Sequence, residues 1–126
     1  MIHGIGVDLV EIQRISESLE RFGSRFARRV LSDDEYRRYD SSPRQASFLA
    51  KRFAAKEALV KALGTGFRDE VSLKGISIDN NELGRPFIRY SDPMQSVLQH
   101  HGITRSHLSI ADERDYALAY VVLEAS

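Results

Sequence analysis

Two acids, Asp8 and Glu57, and one lysine, Lys61, are of types that could pair as ions or, for the acids, hold a metal ion. Glu57 lies in the stretch Arg52-Phe53-Ala54-Ala55-Lys56-Glu57-Ala58-Leu59-Val60-Lys61. On a helix it has Phe53 and Ala54 one turn before it and Val60 and Lys61 one turn after it. A carboxylate on so apolar a face costs free energy unless it is paired or binds a metal ion. One outcome is an i,i+4 ion pair between Glu57 and Lys61, worth about 0.3–0.5 kcal/mol. The other is a metal ligand. Asp8 closes the run Gly4-Ile5-Gly6-Val7. An acid at a strand end more commonly serves a turn or a cap, but Gly4 and Gly6 let another backbone come close. If this strand lies beside the helix of Glu57, the two acids could share a hard cation such as Mg²⁺. That ion takes one or two carboxylates and completes its shell with water and substrate phosphate oxygens.

Charge is the second chemical feature. The 126 residues hold 18 basic and 18 acidic side chains, a net charge of zero. That balance counts against nucleic acid as the partner, since such binders carry a basic excess. The basic side is lopsided, with 14 Arg and 4 Lys, and arginine suits planar, bidentate recognition of phosphate and carboxylate. At ~100° per residue, Arg14, Arg21, Arg25 and Arg28 fall within an arc of ~60°. Ile15, Leu19, Phe22, Phe26 and Val30 cluster ~120° away and form the expected core stripe. A solvated face is the usual fate of such a run. Here only Glu17 and Glu20 stand near four aligned arginines, which suggests an acidic partner surface. Further basic groups, Arg44, Lys51, Arg52, Lys56 and Lys61, gather near the long helix.

Other chemistries are excluded by what is missing. The chain has no cysteine, hence no disulfide, thiol nucleophile or Cys-ligated metal. It has no GxxxxGK[ST] loop. Gly64-Thr65-Gly66 follows a helix and reads as its stop. His3, His100 and His101 lack ligand spacing, and His107 opens an expected strand, where spacing alone gives it a structural role.

These groups must be positioned by a small set of elements. Residues 2–10 read as a strand ending near Asp8, and residues 11–30 as a helix broken at Gly23-Ser24. Ser32-Asp33-Asp34-Glu35 is a capping-box pattern opening a short helix to about Asp40. Ser42-Pro43-Arg44-Gln45 is a second such pattern, opening the longest helix, about 44–63, closed by Gly64. Residues 75–80 and 86–90 read as paired strands, Asp92-Pro93 as the cap of a helix ending at Gly102, and 107–112 with 116–124 as a hairpin. This order predicts one α+β domain over residues 1–126, with helices packed on one face of a small, mainly antiparallel sheet. A hydrophobic share of 42% fits a globular chain. No run approaches the ~18 apolar residues of a membrane span. The start MIHGIGVDLVEI has no cationic region, so it is not read as a signal peptide and a cytoplasmic location is expected.

The motifs Gly6-Val7-Asp8 and Phe53-x-x-Lys56-Glu57-x-x-x-Lys61-Ala62, with the turn Leu83-Gly84-Arg85-Pro86 and the closing HLSIADERDYALAYVV, resemble the holo-acyl-carrier-protein synthases, the short type of 4′-phosphopantetheinyl transferase. The resemblance runs through almost the whole chain. It implies transfer of the phosphopantetheine arm of coenzyme A to a serine of apo acyl carrier protein, release of adenosine 3′,5′-bisphosphate, a requirement for Mg²⁺ and a place in fatty acid biosynthesis. It implies that Asp8 and Glu57 hold the metal and that Lys61 contacts the diphosphate. Arg52, Gly64 and His107 match positions lining the coenzyme A pocket, and Arg44 matches a contact to carrier or coenzyme. The first arginine-bearing helix matches the carrier-docking helix, with Arg14, Arg21 and Arg28 the best matches and Arg25 on the same stripe. It also implies a homotrimer with sites at subunit interfaces.

The residues read alone agree in three places. Displacement on a diphosphate phosphorus needs positioning and charge neutralisation more than a protein nucleophile. The serine proton could go to Glu57 or to a metal-bound water. An acidic carrier is what an arginine stripe would meet. On one helix Arg52 projects ~140° from Glu57 and ~180° from Lys61, so a pocket using all three needs a neighbouring chain. Two other functions use fewer of these features. A non-catalytic module could bind an acidic protein through the arginine helix alone. A small RNA-binding domain would need a basic balance and an aromatic strand motif that this chain lacks.

Overall fold

The computed structural model describes residues 1–126. It runs β1 (Ile2–Glu11), α1 (Ile12–Phe22), α2 (Ser24–Val30), α3 (Asp33–Asp40), α4 (Gln45–Leu63), β2 (Ile76–Asn80), β3 (Pro86–Tyr90), α5 (Asp92–His100), β4 (Ile103–Asp112) and β5 (Tyr116–Ala125). The class is α+β. The strands form two antiparallel sheets: β1-β5-β4, and the separate hairpin β2-β3.

Helix α4 is the axis of the molecule. Leu49, Ala50, Ala54, Ala55, Ala58, Leu59, Val60, Ala62 and Leu63 are all buried along it. Its alanines present so little bulk that a strand can lie almost on the helix backbone. A Cβ added at Gly4 would stand 2.0 Å from the Ala62 carbonyl oxygen, and one at Gly6 would stand 1.9 Å from that of Ala58. Only glycine permits this approach. Around the axis, fully buried Leu31, Ile76, Ile78, Met94 and Leu123 fill the core, each such side chain contributing about 1.5–3 kcal/mol.

Several boundaries differ from the sequence reading, each for a local reason. Strand β1 does not end at Asp8. Strand β5 continues alongside it, so the ladder runs on to Glu11 opposite Tyr116, and Asp8 is mid-strand opposite Ala119. The first capping box forms: Ser32 Oγ accepts from Glu35 N at 3.3 Å, and Ser32 N donates to Glu35 Oε1 at 2.9 Å. The second does not. Ser42 Oγ accepts from Arg44 N at 3.2 Å and Gln45 Nε2 donates to the Tyr39 carbonyl at 3.3 Å, so α4 starts at Gln45 with no side-chain cap. Ser91, not Asp92, caps α5, accepting from Met94 N at 3.4 Å. Strand β4 starts at Ile103, paired with Ala125, rather than at His107.

The break at Gly23 (φ 63°) separates α1 from α2. It also splits the expected core stripe. Ile15 and Val30 are buried, Leu19 and Phe26 are half-buried, and Phe22 stands 54% exposed at the end of α1. The hairpin β2-β3 is tied to α3 by side chains. Ile78 N donates to Glu35 Oε2 at 2.8 Å, and the Ile78 carbonyl accepts from Arg38 at 3.1 Å. Two side chains thus occupy backbone groups that would otherwise lie open on a strand edge.

Candidate active site

Gly6 sets the site. Because β1 rests on α4 at Ala58, Asp8 lies on the helix-facing side of the sheet, beside the turn that carries Glu57 and Lys61. The Lys61 ammonium donates to Asp8 Oδ1 at 3.1 Å and to the Val7 carbonyl at 3.1 Å. The i,i+4 ion pair with Glu57 is not formed; Lys61 pairs with Asp8 instead. Asp8 and Glu57 line one open cleft of about 400 Å³, shared with Glu11, Arg14, Phe53 and Tyr116. Burial pushes the Glu57 carboxyl above its ordinary value, the Asp8 charge pushes it further, and Lys61 opposes both. The structure therefore brings together Asp8, Glu57, Lys61 and Arg14.

The donor set can be tested against a metal. It offers two hard carboxylates and no group of three or more acidic, His or Cys side chains around one point. Such a set does not make a complete protein cage. It does fit Mg²⁺, which binds through one or two carboxylates and keeps positions for water and phosphate.

The other candidate residues spread over the surface. Arg14, Arg21, Arg25 and Arg28 are all exposed, but the Gly23 break divides them. The Arg21 guanidinium lies 5.1 Å from the Phe22 ring centre and that of Arg28 lies 3.9 Å from the Tyr36 ring centre. Arg25 joins Arg29, Phe22, Phe26 and Ser18 around a recess of about 380 Å³. Arg44 is exposed beside Ser47, Asp112 and Arg114. Gly64 adopts φ 88° and ends α4. Arg52 is only 8% exposed, stacks 3.9 Å from the Phe48 ring centre, and leaves Nε without a partner. Burial pulls its pKa down, with Glu35 opposing.

His107 stands on the other face of the sheet. It pairs with Val122, in line with Ile5, whereas Asp8 pairs with Ala119 on the buried face. Its Nε2 bonds Glu124, and this bond holds the Glu124 carboxyl below its ordinary value. Around it that outer face is apolar: Ile5, Val7, Leu9, Leu118 and Tyr120 are all between 38% and 62% exposed. Within one chain, His107 and the Asp8–Glu57 cleft are separated by the sheet.

Three features were missed in the sequence. One is the recess of Phe22 and Arg29, hidden because Phe22 falls on the helical core stripe by spacing. Another is the apolar outer face, whose alternation along residues 5–9 and 116–122 was the available signal. The last is Lys56, fully buried, which donates to Glu35 Oε1 at 2.6 Å and to the carbonyls of Val30 at 2.7 Å and Leu73 at 2.9 Å.

Residues 4–121 match the model of the 4′-phosphopantetheinyl transferase superfamily. The chain is also 53% identical over 124 residues to the holo-[acyl-carrier-protein] synthase of Nitrosospira multiformis, covering 98% of this chain and 99% of that one. The chain belongs to the holo-[acyl-carrier-protein] synthase enzymes of that superfamily. Solved structures of these synthases share the fold. That from Neisseria meningitidis superposes with a TM-score of 0.95 at 44% identity, covering 98% of this chain and 99% of that one. That from Bacillus anthracis, described in complex with CoA (3′,5′-ADP), gives 0.82 at 38% identity, covering 100% and 99%.

Proposed function

We propose that the chain transfers the 4′-phosphopantetheine group of coenzyme A to a serine of apo acyl carrier protein in fatty acid biosynthesis, with Mg²⁺, releasing adenosine 3′,5′-bisphosphate. The observation that carries this reading is the convergence of Asp8 and Glu57 in one open cleft, with the Lys61 ammonium bonded to Asp8. In this reaction a serine oxygen of the carrier forms a bond to a diphosphate phosphorus, and the bridging P–O bond to the adenosine bisphosphate breaks. Charge accumulates on phosphate oxygens, so stabilisation is chiefly electrostatic. Mg²⁺, held by Asp8 and Glu57, would neutralise part of that charge. Lys61 supplies an ammonium to the same oxygens. Glu57, which lines the cleft, is a protein carboxylate placed to accept the serine proton. A cysteine-free chain loses nothing here, because the nucleophile belongs to the carrier.

Acyl carrier protein is acidic, and Arg14, Arg21, Arg25 and Arg28 offer it a cationic surface. Arg14 reaches both this surface and the cleft, which would bring the docked serine to the metal. The recess of Phe22 adds an apolar contact among the guanidinium groups. Coenzyme A would be held by Arg44, Arg52, Gly64 and His107 in addition to Lys61. Asp8 and His107 lie on opposite faces of one sheet, so a coenzyme touching both needs two copies of the chain. The exposed apolar face around His107 supports a homotrimer with interfacial sites, since a patch of this kind marks an interaction surface. No helix is long and apolar enough to cross a membrane, and we place the enzyme in the cytoplasm.

Mass spectrometry tests the proposal. Incubated with apo acyl carrier protein, coenzyme A and Mg²⁺, the enzyme should add one phosphopantetheine mass to the carrier. A folded enzyme that leaves the carrier mass unchanged refutes it. Sedimentation should give three chains per particle; a monomer at assay concentration refutes the interfacial site.

A further inference from the structure

Lys61 is half-exposed, with 54% of its side chain open to solvent and Asp8 at 16%. A lysine so placed has many rotamers available, and most leave the ammonium in water. Here it is held by two acceptors on β1, Asp8 Oδ1 and the Val7 carbonyl, each at 3.1 Å. It does not pair with Glu57, the carboxylate one turn away on its own helix. Asp8 and Glu57 line the same cleft.

A divalent cation shared by Asp8 and Glu57 would use the same carboxylate that Lys61 occupies. It would also meet a like charge there. We propose that Lys61 is an internal counter-ion of the cation site: it competes with the divalent cation for Asp8, and cation binding releases its ammonium to the phosphates of coenzyme A. This deepens the reading above and rests on Asp8 and Glu57 being the cation ligands. The coupling is reciprocal. Whatever free energy the cation spends in displacing Lys61 is the amount by which a Lys61 engaged elsewhere favours the cation. Coenzyme A, by drawing Lys61 to its phosphates, would thus tighten the cation even before direct contact between the two is counted. Lys61 becomes a residue that sets the order of assembly as well as one that touches substrate.

The test uses the enzyme without coenzyme A and Mn²⁺ as the probe, with binding followed by electron paramagnetic resonance. Wild type, Lys61→Met and Lys61→Arg are compared after their melting curves show folded protein; Lys61→Gln serves if the Met variant is not. Removing one positive charge beside a divalent ion should tighten Mn²⁺ about tenfold. Lys61→Arg keeps the charge and should bind within about twofold of wild type. Adding Asp8→Asn to Lys61→Met should abolish the gain. A Lys61→Met variant that binds Mn²⁺ with wild-type affinity, or more weakly, overturns the proposal. If wild type binds one Mn²⁺ per chain and transfers phosphopantetheine while Lys61→Met gains nothing, the counter-ion role alone fails. If neither folded protein binds Mn²⁺, the cation site itself is wrong and the counter-ion role falls with it.

Discussion

Helix α4 carries two lysine–carboxylate pairs, and they could hardly be more different. Lys56 and Glu35 are both fully buried. All three ammonium donors of Lys56 are used, and Glu35 also accepts from the backbone of Ser32 and Ile78. Burial pulls the Lys56 ammonium below its ordinary pKa, and the Glu35 charge pushes back. One pair thus ties α4 to the end of α2, the start of α3, the segment before β2 and β2 itself. Lys61, five residues along the helix from Lys56 and ~140° around it, pairs with Asp8 of β1 at the edge of an open cleft, and the second acid of that cleft, Glu57, has no ion pair of its own. A saturated pair in the interior holds the fold. An unsaturated cluster at the surface retains spare donors and acceptors for a ligand. A lysine and a carboxylate hold the fold in one place and, on the proposed reading, serve chemistry in the other, because of what surrounds them.

The contrast can be broken by experiment. Lys56→Met leaves the Glu35 carboxylate buried with no ammonium and should cost about 3–5 kcal/mol in denaturant unfolding. Lys61→Met should cost under about 1 kcal/mol, as for exposed pairs. Equal losses would erase the distinction between the pairs. Activity should invert the ranking. Asp8→Ala or Glu57→Gln should lower kcat/KM for transfer about 10²–10³-fold, the scale for losing one electrostatic contact to a developing charge. The unfolding midpoint should barely move in either.

Smaller effects sharpen the picture. Gly6→Ala drives a Cβ against the Ala58 carbonyl and should cost about 1–3 kcal/mol, with transfer falling as Asp8 is displaced. Arg21→Glu or Arg25→Glu should raise KM for the carrier and flatten its salt dependence, leaving KM for coenzyme A unchanged. Charge reversals that leave carrier binding intact would detach the arginine surface from docking. The smallest effect concerns pH. The folded Glu57 carboxyl titrates above its ordinary 4.5, so folding favours its protonated form. That stabilisation is present below pH 4.5 and is lost as pH rises through the raised value. In buffer with chelator, Glu57→Gln should remove this decline from the pH–stability curve.

Much of the site was legible because it rests on short-range pattern. Gly6-Val7-Asp8 announces both a close backbone approach and the acid that follows it. Glu57 on an apolar helix face announces a partner yet to be found. The α+β class, the long helix ending at Gly64 and the break at Gly23 follow from periodicity and glycine placement. What stayed hidden depends on distant partners. Glu35 looked like a capping residue and is one, but its bond to Lys56, 21 positions later, is invisible along the chain. Ser42 to Gln45 has a capping pattern that fails because Arg44 N and the Tyr39 carbonyl compete for those side chains. Phe22 fits a helical core stripe until Gly23 turns the next helix away. The separation of His107 from Asp8 by the sheet is a property of strand register, which the sequence of either strand does not contain.

The central claim is that one acid from β1 and one from α4 share a divalent ion. Crystals grown with Mn²⁺ and coenzyme A, measured at the manganese edge, test it most directly. The account predicts an anomalous peak coordinated by both Asp8 and Glu57, next to the coenzyme diphosphate. A coenzyme bound with no such peak, or a peak touching neither carboxylate, would contradict it.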